Sequence, residues 1–223
     1  MALSLDLPNI LQFFSFLSPI IISSFLILQS FIQSDVKGIM WLVGSLFAYI
    51  FGIIIKSAFH KFDEGKGPGE KPSFKRIPII DNLPMNPGVT RNNVPDYCSV
   101  FNGPFSNMAL SDTSMPSLNA IFHSFTIAYI AMGLGENPIP SPGGITLLII
   151  LGILAIVNWV YRVLLYCDKM LDVFVGAALG AGIGVGWYYA IKAMNPTWVY
   201  YGKEKKGKCV LGEQKFVCTY EEE

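Results

Sequence analysis

One stretch concentrates residues able to do chemistry: Tyr161-Arg162-Val163-Leu164-Leu165-Tyr166-Cys167-Asp168-Lys169-Met170-Leu171-Asp172 sets a guanidinium and two carboxylates between two long apolar segments. A guanidinium offers a planar fork of N–H donors that matches carboxylate or phosphate oxygens, and a carboxylate serves as counter-ion, base or nucleophile. In a helix, Asp168 and Asp172 lie one turn apart and share a face. Arg162 precedes Asp168 by six residues, so a shared pocket requires the chain to turn or the helix to end between them. The stretch reads as the mouth of a membrane-embedded pocket. A second group, Ser117 and Asn119 with His123 one helical turn further on, stands at the start of another apolar segment, and the chain holds only one other histidine, His60.

The elements that position these residues are membrane spans. Hydrophobic residues make up 52% of the 223-residue chain and charged residues 14%, with a mean hydropathy of +0.47, values of a small multi-pass membrane protein rather than a soluble domain. The formal net charge is zero, so no basic field exists to hold nucleic acid, and the bilayer itself is the first partner expected. About 20 apolar residues cross a bilayer as a helix. Five segments meet that length: 10–32, 39–55, 118–134, 145–165 and 171–194. Residues 1–9 carry Asp6 and Pro8 in place of a basic start, and the apolar run after them is too long for a cleaved leader, so it is read as the first anchor.

Between the second and third spans, residues 56–114 are rich in Lys, Gly, Pro and Asn and are expected to be irregular, with Lys56 and the other cations solvated or near headgroups. Asp112 to Ser117 supplies helix-start signals for the third span. Glycines 176, 180, 182, 184 and 186 crowd the fifth, and Gly176 and Gly180 fit the small-xxx-small spacing that lets helix backbones approach in lipid. Trp187, Tyr188, Tyr189, Trp198, Tyr200 and Tyr201 read as an interface belt. The expected architecture is an all-α bundle over 1–202, including the loop 56–114, followed by a polar tail, 203–223. In that tail Cys209 and Cys218 flank two short strands around a glycine-containing turn. They form either a disulfide or two thiols, and with no histidine or second cysteine pair beside them they form no zinc site. No metal and no cofactor are expected. Five spans place the N-terminus, the long loop and 161–172 on one face, and the 33–38 turn, the 133–144 turn and the tail on the other.

Two motifs on the first face resemble the type 2 phosphatidic-acid phosphatase family, which is related to the vanadium haloperoxidases. Met115-Pro116-Ser117-Leu118-Asn119-Ala120 occupies the place of the family's Pro-Ser-Gly-His. Tyr161-Arg162-x5-Asp168-x3-Asp172 occupies the place of its Ser-Arg-x5-His-x3-Asp, and the run from Asp172 through Gly176 to Gly180 is similar to the glycine-rich helix that follows. The resemblance covers residues from about 38 to 190. It implies that Ser117 and Arg162 occupy phosphate-binding positions, that Asp168 stands where the nucleophilic histidine would be, that Asp172 is the orienting aspartate, and that Asn119 replaces the general-acid histidine. Leu118 replaces the glycine, and Lys56 is not followed by the family's Arg-Pro.

With both histidines replaced, the resemblance implies a phosphatase-like bundle without phosphatase chemistry. Such a protein serves as a structural or partner-binding membrane component beside neighbouring proteins in an assembly, in a virion inner membrane or a host endomembrane. Arg162 paired with Asp168 or Asp172 would satisfy charges that cost about 3 kcal/mol each inside lipid. The alternative is a divergent lipid-phosphate phosphatase that recruits Asp168 or His123. A third reading, a small transporter or channel subunit with Arg162, Asp168 and Asp172 along its pathway, is opposed by the lack of broken, repeated spans.

Overall fold

The computed structural model describes residues 7–64, 98, 114–136, 142–165, 167–201, 207–211 and 216–220. Five helices cover most of them: α1 (Leu7–Gln33), α2 (Lys37–Glu64), α3 (Leu118–Gly135), α4 (Pro142–Leu164) and α5 (Met170–Met194). All five are long and apolar enough to cross a bilayer. The protein is an all-α, multi-pass membrane bundle. A 3-10 turn (Pro196–Trp198) follows α5, and β1 (Gly207–Leu211) pairs antiparallel with β2 (Phe216–Tyr220) in the tail. Most of the loop expected at 56–114 lies outside the described residues. Its start is corrected, because α2 runs on to Glu64: nothing from Lys56 onward breaks a helix before Gly65.

The middle helix is α3, which touches all four other spans. Its closest neighbour is α5, because one face of α5 carries glycine at every fourth position. A Cβ at Gly176 would come within 2.6 Å of the Ser117 carbonyl oxygen and one at Gly184 within 2.6 Å of the Phe125 oxygen, while one at Gly180 would collide with the Ile121 backbone. Gly182 and Gly186 face open space, so only part of the glycine-rich run serves packing. The outer faces of α1, α2 and α4 leave Phe31, Ile54, Ile153 and Ile156 exposed, as lipid-facing side chains should be.

Pro19 sits inside α1 and has no N–H to give the carbonyl four residues back. That carbonyl, Ser15 O, is taken by Ser18 Oγ at 2.6 Å and by Asn158 Nδ2 of α4 at 2.7 Å. A defect in one helix thus becomes the docking point of another.

The interface belt is corrected in part. Tyr189 is exposed, but Tyr188 and Tyr200 are buried: Tyr188 donates to Glu136 at 2.7 Å and Tyr200 to the Leu26 carbonyl at 2.8 Å. Burial pushes the Tyr200 phenol above its usual range. Trp187 likewise turns inward and donates to the Met40 carbonyl at 3.0 Å. Hydrogen-bonding tips draw these rings into the bundle wherever a carbonyl or carboxylate is within reach. The tail register sets Cys209 opposite Cys218, and their side chains lie outside the described residues.

Candidate functional site

The site forms where α4 stops. After Leu164 the chain folds back on its own last turn: Leu165 N–H donates to the Tyr161 carbonyl at 2.9 Å, and the N–H groups of Cys167 and Asp168 donate to the Arg162 carbonyl at 2.8 and 3.2 Å. This reversal brings the Asp168 carboxylate to its own helix end, where Arg162 Nε lies 2.5 Å from Oδ2. Both side chains are buried, at 5% and 2% exposure. The same Oδ2 accepts the Ser117 hydroxyl at 2.7 Å. Ser117 is the N-cap residue of α3, yet its side chain does not cap that helix; it is diverted to Asp168. Arg162, Asp168 and Ser117, expected at one site, are brought together.

Asp172 is separate. The expectation that Asp168 and Asp172 share one helical face is corrected, because α5 begins at Met170 and Asp168 lies in the turn before it. Asp172 closes the first turn of α5 by accepting the Lys169 N–H at 2.9 Å, and it also accepts a hydrogen bond from Ser114. Its backbone carbonyl accepts the Ser117 N–H at 3.1 Å, which locks the starts of α3 and α5 together. The helix N-terminus favours a negative charge at that position.

Asn119 and His123 lie below this centre on α3, both buried. His123 Nε2 is 2.9 Å from Ser18 Oγ and Nδ1 is 2.8 Å from the Asn119 carbonyl, so both ring nitrogens are engaged with neighbours in the bundle. With Nδ1 as donor to that carbonyl, Nε2 accepts from Ser18, whose single proton is shared with Ser15 O. The Asn119 amide oxygen, buried, has no hydrogen-bond partner among the described residues. Together with Asn158, one turn before Arg162 on the inner face of α4, these groups form a polar seam between α1, α3 and α4.

The cysteine pair, Phe16 and Lys56 are not among the residues expected at this site from the sequence. Cys98 and Cys167 form a disulfide that packs with Phe16 and Leu165. The Cys98 carbonyl lies 3.5 Å from an Arg162 terminal nitrogen, and the guanidinium sits 6.0 Å from the Phe16 ring. Lys56, expected to be solvated, is buried. It lies one turn beyond Gly52, whose Cα faces Leu118 and Ile121, and so belongs to the Ser117 end of α3. A signal existed for Lys56, since a cation one turn past the end of an apolar run can point inward as readily as outward. The cysteine pair, 69 residues apart, had none. Among the described residues no three His, Cys, Asp or Glu side chains gather into a metal-binding group.

No protein-family model, curated protein or solved structure matches this chain. The phosphatase resemblance therefore rests on the chain's own motifs and their spacing. Chemically, the centre is a buried ion pair in which one Asp168 oxygen takes the Ser117 hydroxyl and the Arg162 Nε–H.

Proposed function

We propose that the chain is a multi-pass membrane protein of phosphatase-like arrangement whose polar centre is closed on itself, catalytically inactive, and used as a structural or partner-binding component of its membrane. The observation that carries this reading is the shared Asp168 oxygen, which accepts from both Ser117 and Arg162. In the resemblance these two residues are the phosphate holders, and here a carboxylate of the same chain takes the Ser117 hydroxyl and the Arg162 Nε–H. A phosphate ester entering this site would have to expel a buried carboxylate from its partners, and leaving such a charge uncompensated costs about 3–5 kcal/mol. The engagement of both His123 ring nitrogens adds support, since an acid that must deliver a proton to a leaving group needs one nitrogen turned toward it.

The test is hydrolysis of phosphatidic acid by the purified protein in detergent, with and without Mg²⁺. The native protein is expected to be silent. The triple variant Leu118→Gly/Asn119→His/Asp168→His removes the plugging carboxylate and supplies both missing imidazoles, and measurable turnover in it supports the phosphatase-like arrangement. Turnover by the native protein that disappears in Asp168→Asn overturns the inactive reading in favour of a divergent lipid-phosphate phosphatase.

A further inference from the structure

We infer that the Arg162–Asp168 end of the bundle faces an oxidising, extracytoplasmic compartment and the C-terminal tail a reducing one, so that any ligand or partner of the polar centre approaches from outside the cytosol. The inference rests on the five crossings and not on the phosphatase-like reading. Cys167 lies in the turn between α4 and α5, and its disulfide to Cys98 ties the loop after α2 to that turn. Closing such a bridge releases two protons and two electrons, which the thiol–disulfide oxidants of an oxidising compartment accept; cytosolic thiols keep the same pair reduced.

The bridge is integral to the centre. Both cysteines are buried, they pack on Phe16, and the Cys98 carbonyl faces Arg162. Lysine and arginine do not decide the orientation, because they flank the spans on both faces: Lys61 and Lys169 on one, Lys37 and Lys192 on the other. The disulfide does decide it.

A consequence follows for the other two cysteines. An odd number of crossings puts 98 and 167 on one face and 209 and 218 on the opposite one. The hairpin register sets Cys209 across from Cys218, a pairing that oxidising surroundings would close. On the reducing face the pair stays as thiols. The two cysteine pairs thus report the two sides of the membrane.

The experiment uses the full chain in sealed microsomes, with thiols trapped by acid and tagged with a mass-shifting maleimide under denaturing conditions before any reduction. Two tags are expected, and both vanish in Cys209→Ser/Cys218→Ser. Any other number of tags, or tags on Cys98 and Cys167, overturns the assignment. A second readout does not depend on sulfur. Pro84→Thr completes a glycosylation acceptor at Asn82 in the long loop, and Val217→Asn completes one with Thr219 in the tail. A glycan is expected on the first variant alone. A glycan on the second overturns the orientation, and where neither variant is modified the tag count decides.

Discussion

Two ion pairs at opposite ends of the bundle, Arg162–Asp168 and Lys192–Glu136, are built on opposite terms. At one end Arg162 and Asp168 are almost fully buried, with Ser117 on the same oxygen and a disulfide alongside. At the other, Lys192 meets Glu136 at 2.7 Å with its side chain 39% exposed, and Tyr188 shares the carboxylate. Both pairs tie helices at their ends, yet only the first removes its charges from water. A buried pair contributes little relative to an apolar replacement of equal shape, while breaking it by removing one partner is costly. A half-exposed pair is cheap to form and cheap to lose. The buried end is therefore where the chain has committed itself to one arrangement, and it is also where the motifs lie.

The sharpest way to break this comparison is Arg162→Ala, which takes the guanidinium away from the buried Asp168 carboxylate. We expect a loss of about 3–5 kcal/mol in unfolding free energy, measured by denaturant titration in detergent micelles. The double variant Arg162→Met/Asp168→Asn should recover much of that loss, since it leaves no orphaned charge. Equal damage from the single and double variants would show that packing, not charge, holds this end.

The α3–α5 seam that joins the two ends supplies an intermediate effect. Gly180→Val places side-chain atoms against the Ile121 backbone and should cost about 1–3 kcal/mol. Gly182→Val, one turn-half away and facing open space, serves as its control and should change little. The smallest effect belongs to the exposed end: Lys192→Ala is expected to cost less than about 1 kcal/mol and to respond to added salt. A loss there matching that of Arg162→Ala would erase the distinction between the two pairs.

Much of this arrangement is legible in the chain. The five apolar runs correspond to the five helices, the interval between Arg162 and Asp168 demands a helix end that α4 duly provides, and the spacing of Gly176 and Gly180 marks the helix face that meets α3. Other features depend on partners distant in sequence. Asp172 is a cap on α5 because that helix starts at Met170, a boundary that two aspartates four apart do not reveal. Lys56 reads as a juxtamembrane cation until α2 is seen to continue past it. Pro19 frees the Ser15 carbonyl inside α1, and nothing local to that segment shows that Asn158 of α4 takes it.

By itself the sequence determined that the chain crosses a membrane, about where, and which helix face is small enough to be pressed against another. These follow from apolar length and from the absence of side chains, properties local to a segment. Only the tertiary structure decided which carboxylate pairs with Arg162, which cysteines join, and that the Ser117 hydroxyl serves Asp168 instead of its own helix. Those outcomes depend on donors and acceptors that lipid leaves no solvent to satisfy, so each takes whichever partner the packed helices bring within hydrogen-bonding distance.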